Sequence, residues 1–432
     1  VTVLVFLFSL LAGMAIGMPI AYALLFCGVA LMTFLGLTSN VVSFDSQILA
    51  QRLVDGADNF ALLAVPFFVL AGEFMNAGGL TRRIINLAMA WVGHLRGGLG
   101  YVAVLAAIIM AALSGSAVAD TAALATLLIP MMRDAGYSVG RSAGLIAAGG
   151  IIAPIIPPSI GLIVFGVVGN VSIIKLFMAG IVPGLLMGLA IGIAWWLVSK
   201  RENVPVQPRM VMAERMKHTL NGLLALALPV VIIGGMKLGV FTPTEAAVVA
   251  VVYSFLVGTL VYRELKLRQL YSLVLSAGKT TAVVMFLVSA AMVSAWLITV
   301  ANIPAQVVDL IEPLLENPKL LMLVLMLVIL LVGTALDFTP TVLILTPVLM
   351  PVVLKAGIDP VYFGVMFILN NAIGLITPPV GNVLNVICGV AKIGLDQAFK
   401  GVLPFLAAHL TVLFTLVLFP QIVTVPLQWW FR

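Results

Sequence analysis

The sequence predicts an all-α polytopic membrane protein made of two inverted structural repeats, each with a re-entrant helical hairpin and a broken transmembrane helix. Three observations carry this prediction. Of 432 residues, 63% are hydrophobic and 9% charged, with a mean hydropathy of +1.24, whereas soluble domains carry about 25% charged residues. Runs such as 320–332 and 408–419 extend into spans of about 20 apolar residues, enough to cross the hydrocarbon as a helix, and no strict in/out alternation suggests a barrel. Finally, Ala135-Gly136, Pro157-Pro158 and Gly180…Pro183 recur as Ala356-Gly357, Pro378-Pro379 and Gly401…Pro404, each shifted by 221. Gly115-Ser116 and Gly333-Thr334 are 218 apart instead, which predicts a three-residue insertion in the second copy. Secondary transporters are built from such repeats with discontinuous helices.

Residues 1–98 are expected to supply N-terminal scaffold helices. Residues 2–37 form either one bent helix or two tight spans, because Gly13, Gly17 and Pro19 interrupt them. They lack the basic start and cleavage site of a signal peptide and read as a retained membrane segment. A polar stretch at 39–59 leads to an apolar run at 66–75, and 84–98 is the weakest span, crowded by Trp91, His94 and Arg96. The first repeat core covers 99–199. Its residues 99–132 are interrupted at Ser114-Gly115-Ser116, leaving about 15 residues on each side, too few for two crossings. A re-entrant hairpin is therefore expected, and such backbone is tolerated at membrane depth only where protein or a watery cavity covers it. A broken helix follows at 144–170, then a span at 177–199 whose Gly184, Gly188 and Gly192 suit close helix contact. Residues 200–300 hold a cytoplasmic loop and scaffold helices, and the second core at 319–425 repeats the hairpin (319–355) and the broken helix (361–390).

Charge sets the orientation. The formal +6 resides mostly in short loops, which fits the positive-inside rule better than a nucleic-acid partner. Lys200, Arg201, Arg209, Arg215 and Lys217 share a side with Arg263, Lys266 and Arg268, two spans apart. With that side cytoplasmic, the first hairpin enters from the cytoplasm. Five crossings later the second enters from outside, preceded by Asp309, Glu312 and Glu316.

The chemistry-bearing residues cluster at the interruptions. Asp120 and Asp337 each place a carboxylate at membrane depth, at ~3 kcal/mol or more, and such residues are by default functional. Ser114, Ser116, Ser159, Thr334, Thr339 and Thr377 put hydroxyls beside unwound backbone, and hard oxygen donors of this kind suit an alkali cation. The bland alternatives are a helix cap for the carboxylates and back-bonding for the hydroxyls. At the second tip, Thr339-Pro340 resembles a helix start, which leaves Asp337 free of a capping role. Glu245 reads as part of a capping box in Thr242-Pro243-Thr244-Glu245. Gly140-Arg141-Ser142-Ala143-Gly144 mimics a nucleophile elbow but follows no strand, so a helix start is expected. Cys27 and Cys388 lie in apolar runs as packing residues, and His94, His218 and His409 are scattered. No credible nucleophile–base pair argues for an enzyme, and the interior lacks the lysines and glutamates of a proton-antiporter subunit.

Taken in series, Ala71-Gly72-Glu73-Phe74-Met75, Gly115-Ser116-Ala117, Pro157-Pro158-Ser159, the run from Leu176 to Gly184, Phe241-Thr242-Pro243-Thr244-Glu245-Ala246-Ala247 and Thr377-Pro378-Pro379 resemble the large membrane subunit of tripartite ATP-independent periplasmic (TRAP) transporters. The resemblance covers essentially the whole chain. It implies a protein of the bacterial inner membrane that works with a small membrane subunit and a periplasmic substrate-binding protein. It further implies sodium-driven uptake of small organic acids by an elevator movement, with no organic cofactor. Sodium is then expected at Ser114, Gly115, Ser116, Pro157, Ser159, Gly333, Thr334, Asp337, Thr377, Pro378 and Gly381. Substrate is expected near Asp120, Ser159, Thr339 and Asn382. Asp120 departs from the small or hydroxyl residue many members carry there. The text around 114–120 and 339–347 is most similar to the branch handling sugar acids such as diketogulonate. A self-sufficient divalent-anion:sodium symporter with similar hairpins is the alternative.

Overall fold

The computed structural model describes residues 2–38, 45–201, 206, 208–310 and 312–431. The start of the polar stretch at 39–59, part of the basic loop at 200–217 and the side chains of Arg201 and Asp309 lie outside the described residues. The described chain is helical throughout: α1 (Thr2–Ala15), α2 (Ile20–Thr38), α3 (Ser46–Ala57), α4 (Ala64–Ala77) and α5 (Leu80–Val92) precede the first core. That core consists of α6 (Gly98–Ser114), α7 (Ala117–Asp134), α8 (Val139–Gly150), α9 (Ile160–Val168) and α10 (Ile173–Arg201). Next come α11 (Met212–Lys237), α12 (Pro243–Leu256), α13 (Leu267–Val300) and the short α14 (Ile303–Leu310) and α15 (Glu312–Leu315). The second core consists of α16 (Pro318–Ala335), α17 (Phe338–Lys355), α18 (Pro360–Gly374), α19 (Asn382–Ala391) and α20 (Leu395–Leu418), and α21 (Gln421–Trp430) ends the chain. Among the described residues, nine helices are long and apolar enough to cross a membrane.

Local chemistry sets the boundaries. Residues 2–37 resolve into two helices, because Gly17 at φ +81° turns the chain and Gly13 lets Ala23 of α2 pack directly on α1. Thr242 and Glu245 form the expected capping box on α12, with Thr242 N–H donating to Glu245 Oε2 at 2.8 Å. The Gly140–Gly144 motif is the first turn of α8. The expected span at 84–98 is not one: α5 has 13 residues, about 20 Å at 1.5 Å per residue, short of the hydrocarbon. It buries Ile84, Ile85 and Ala88 on one face and carries in its first turn Arg82 and Arg83, which both meet Glu264 (2.8 and 2.7 Å). Buried Arg215 of α11 closes its other end, donating from Nε to the Ala90 carbonyl at 2.9 Å.

The two cores pack as counterparts. Contacts of α6 and α7 with α8 recur as contacts of α16 and α17 with α18; α7 meets α19 as α17 meets α9; and α8 meets α20 as α18 meets α10. This exchange of partners is the signature of a two-fold relation. The helix ends also correct the register. Ser114, Ala117 and the Pro157-Pro158 break correspond to Ala335, Phe338 and Pro378-Pro379, all shifted by 221, so the second copy carries no insertion at its tip. Gly333-Thr334 lies inside the last turn of α16, whereas Gly115-Ser116 forms the turn itself, so the likeness at offset 218 is a coincidence of composition.

Backbone contact between small residues joins the cores. A Cβ on Gly144 of α8 would strike the backbone of Gly401 and Val402 in α20, and one on Gly401 would strike the Gly140 carbonyl. In α10, Gly184 and Gly188 seat Ile156 and Ile108, so the glycine ridge read from the sequence holds the first break and hairpin. Gly401→Val should therefore cost at least ~1–3 kcal/mol as an overpacked contact. The expected readout is a lower Tm and a smaller monodisperse fraction in detergent; a wild-type melting profile would show that this crossing can spread freely.

Candidate functional site

Each hairpin tip sits on the interruption of its own repeat's broken helix. At the first tip, Gly115 adopts φ +65° and lies so close to the Pro158 carbonyl that no side chain fits there. Ser116 caps α7, accepting from Ala119 N–H at 3.4 Å, and its own N–H donates to Ser114 Oγ at 3.2 Å. The Ser114 hydroxyl donates to Asp120 Oδ1. At the second tip, Val380 N–H, just past Pro378-Pro379, donates to the Thr334 carbonyl at 3.1 Å. By length α16 and α17 could each cross the membrane. This bond places their turn at the level of the α18–α19 break instead, so the pair is a hairpin.

Asp120 is 1% exposed; its Oδ2 has no hydrogen-bond partner, nor does the hydroxyl of its neighbour Thr121, which faces Gly150 at the end of α8. A buried carboxylate oxygen without a donor is costly and calls for a cation or a proton. Ser159 is fully buried and committed to structure: its hydroxyl donates to the Pro154 carbonyl, and its oxygen accepts from Leu162 N–H at 3.1 Å as the cap of α9. Thr334 and Thr377 bond back onto their own helices, to Leu331 O at 2.8 Å and Ile373 O at 2.9 Å. Pro157 is buried and Gly381, at φ +50°, turns the chain into α19, which Asn382 opens.

Asp337 requires a correction. It is the N-cap of α17, with φ −69° and ψ 164°, and its carboxylate accepts from Phe338 N–H at 2.7 Å. Helix α17 starts at Phe338, so Thr339 and Pro340 fall within its first turn and cannot take over the cap. The first three residues of a helix tolerate proline because their N–H groups have no intrahelical acceptor. That tolerance made Pro340 look like the first residue of the helix when it is the third.

A cavity of about 560 Å³ opens between the first hairpin and helices α4 and α13. Ser114, Ser116 and Thr126 line it from the hairpin, Glu73 and Asn76 from α4, and Thr280 from α13. Ser276 of α13 donates to Glu73 Oε1 at 2.9 Å. Asp120, Ser159, Thr339 and Asn382 are not among its lining residues; Asp120 reaches it only through Ser114. Glu73 was legible only as a member of a family motif, and Asn76 only as the polar residue that ends the apolar run at 66–75. The adjacent amides Asn370 and Asn371, 0% and 1% exposed in α18, were passed over, although two amides inside the run from Met366 to Leu375 are a visible anomaly.

Paired hairpins seated on paired broken helices, in an all-helical multi-pass membrane protein, define the architecture of inverted-repeat secondary transporters. Residues 7–422 match the family described as tripartite ATP-independent periplasmic transporter, DctM component. The chain belongs to that family and is a TRAP transporter large permease, a multi-pass protein of the bacterial inner membrane. It is 59% identical over 427 residues to the 2,3-diketo-L-gulonate TRAP transporter large permease YiaN of Escherichia coli K12, covering 99% of each chain. It is 41% identical over 415 residues, 96% of each chain, to the sialic acid TRAP transporter large permease SiaM of Vibrio cholerae. The crystal structure of the Alcanivorax borkumensis YdaH transporter superposes with a TM-score of 0.67 over 92% of this chain and 96% of that one. At 14% identity this likeness concerns the fold alone.

The capping geometry separates two roles for Asp337. Asparagine caps as well as aspartate, whereas alanine removes the acceptor at ~1 kcal/mol. Asp337→Ala should lower the Tm and Asp337→Asn should not; equal melting of both variants would show that the Phe338 amide is satisfied by other means.

Proposed function

We propose that this permease imports a small organic acid of the sugar-acid type, driven by sodium, together with a small membrane subunit and a periplasmic substrate-binding protein. The observation that carries the reading is the pair of tips seated on broken helices, where buried oxygens are left without donors and, among the described residues, no basic side chain bonds to Ser114, Asp120, Thr334 or Asp337. Such a setting favours a hard monovalent cation held by carbonyls, hydroxyls and a carboxylate. At the first tip Asp120 and Thr121 supply unpartnered oxygens beside Ser114 and the Pro158 carbonyl. Asp337 faces the second tip, where the cap uses Oδ1 and leaves the other carboxylate oxygen for an ion. The names of the relatives support an acidic substrate, and the sugar-acid branch rests on the 59% identity to a diketogulonate permease. The word tripartite in the family's description supports the two partners.

The movement we propose is an elevator, with the two cores sliding against a scaffold that includes α4 and α13. The cavity of about 560 Å³ lies on that boundary, and α7 presents Val118, Ala119, Ala122 and Ala123 to it, a smooth small-residue face. If more sodium charge than substrate charge enters, each net positive charge gains about 2.3 kcal/mol per 100 mV.

Reconstitution tests coupling and assembly together. With both partners in liposomes, uptake should stall when potassium replaces sodium and should respond to an imposed potential; the permease alone should move little solute even in sodium. Undiminished sodium-free uptake would sink the coupling, and robust uptake by the single chain would favour the self-sufficient symporter.

A further inference from the structure

The second repeat carries two buried amide oxygens that nothing among the described residues satisfies. Asn370 donates from Nδ2 to the Met326 carbonyl at 2.5 Å, and Asn371 donates from Nδ2 to the Phe338 carbonyl at 2.7 Å. A carbonyl only accepts, so each amide nitrogen must face its carbonyl and the orientation of both side chains is fixed. Both Oδ1 atoms are left without a donor, in residues 0% and 1% exposed. Native proteins leave few buried polar atoms unpaired, and each one asks for an explanation such as an ion.

Asn371 Oδ1 is aimed at the second hairpin. It lies against Gly333 in the last turn of α16, 3.0 Å from where a Cβ would stand, and Gly374 of α18 abuts the Gly333 carbonyl. Its amide nitrogen meanwhile holds the carbonyl of Phe338, the first residue of α17. A single side chain thus touches both arms of the hairpin beside their turn. At the corresponding place in the first repeat, 221 residues earlier, stand Gly149 and Gly150. There the unpartnered oxygens come from the hairpin instead, from Asp120 and Thr121, and Gly150 makes room for Thr121. Each repeat therefore puts orphaned oxygens into the seam between hairpin and broken helix, one set from α7 and the other from α18.

We infer that Asn371 supplies a side-chain oxygen ligand to a cation held at the second hairpin tip, the amide counterpart of the Asp120–Thr121 pair at the first. The inference rests on the sodium-coupling reading and extends it to a residue outside the hairpin and the double-proline break. A cation there bridges α16, α17 and α18, so its binding draws the second tip onto its broken helix. An amide is a neutral ligand, so the α18 side of this seam brings no charge, unlike the Asp120 side of the first.

The test is sodium-specific thermal stabilisation of the purified permease, because a ligand that binds only the folded state raises its Tm with concentration. Wild type is titrated with sodium chloride against potassium chloride at constant ionic strength, and its stabilisation tests the sodium reading itself. Asn371→Leu keeps the volume and removes the oxygen together with the Nδ2 bond to the Phe338 carbonyl, so its Tm in potassium should fall, and the quantity read is the sodium-dependent rise above that baseline. In sodium its half-saturating concentration should rise at least tenfold. Asn371→Asp, which retains an oxygen, should stay within about threefold of wild type by the same free-energy scale. Sodium stabilisation of wild type and Asn371→Leu at the same concentrations would overturn the role of Asn371 while leaving sodium coupling intact. A wild-type protein that sodium does not stabilise would overturn both. If Asn371→Leu does not fold, Asn371→Ala takes its place: a half-saturating sodium concentration unchanged from wild type overturns the proposal, and a rise of at least tenfold supports it.

Discussion

Backbone polar groups at membrane depth have no water to turn to, and that constraint organises this protein. Four interruptions are placed inside apolar sequence: two hairpin turns and two broken helices. Each has carbonyls and amides released from helical bonding. Some of these are satisfied across the tip, where Val380 N–H reaches the Thr334 carbonyl, and some within a break, where Ser159 joins the Pro154 carbonyl to the Leu162 amide, while the Pro158 carbonyl packs closely against Gly115. Because every break leans on a neighbouring break, the tips and broken helices of each repeat form one mutually dependent unit. The glycines at 144 and 401 then bring the two units into backbone contact.

Satisfaction is incomplete at the seams, and the atoms left over there are oxygens. Among the described residues at the seams, the unpartnered atoms are the carboxylate, hydroxyl and amide oxygens of Asp120, Thr121, Asn370 and Asn371. Three of them can only accept and the Thr121 hydroxyl can turn its lone pairs inward, an arrangement that suits a cation. One further buried polar contact joins the repeats. His409 of α20 sits fully buried with Nε2 at 3.0 Å from the Ala148 carbonyl, near the end of α8 where the helix is about to break. A carbonyl accepts only, so this nitrogen carries the proton.

Much of this was legible in the sequence. The repeat was readable because paired small-residue and proline breaks survive at a constant spacing, the first hairpin because about 15 apolar residues on each side of its tip are too few for two crossings, and the second hairpin because it repeats the first. Asp120 was readable because a carboxylate in such a run is expensive. Other features were misread for identifiable reasons. Gly333-Thr334 mimicked Gly115-Ser116 in composition while lying inside a helix, so local similarity gave a false register. Pro340 suggested a helix start two residues late, because proline is tolerated throughout a first turn and marks the boundary only loosely. The segment 84–98 was apolar enough to pass for a span until its amphipathic packing and its arginines were placed.

By itself the sequence determined the solvent, the secondary structure and the repeat, because these depend on composition and on short-range periodicity along one chain. It determined which stretches must break and which residue types stand there. Only the tertiary structure decided which of those residues are spent on holding the backbone and which are left over. Ser159, Thr334 and Thr377 are hydroxyls of the same kind as Thr121, yet they bond to nearby backbone while Thr121 finds no partner across the seam. Whether a polar atom is satisfied depends on what another segment, tens or hundreds of residues away, brings within hydrogen-bonding distance, and that distance exists only once the chain has folded.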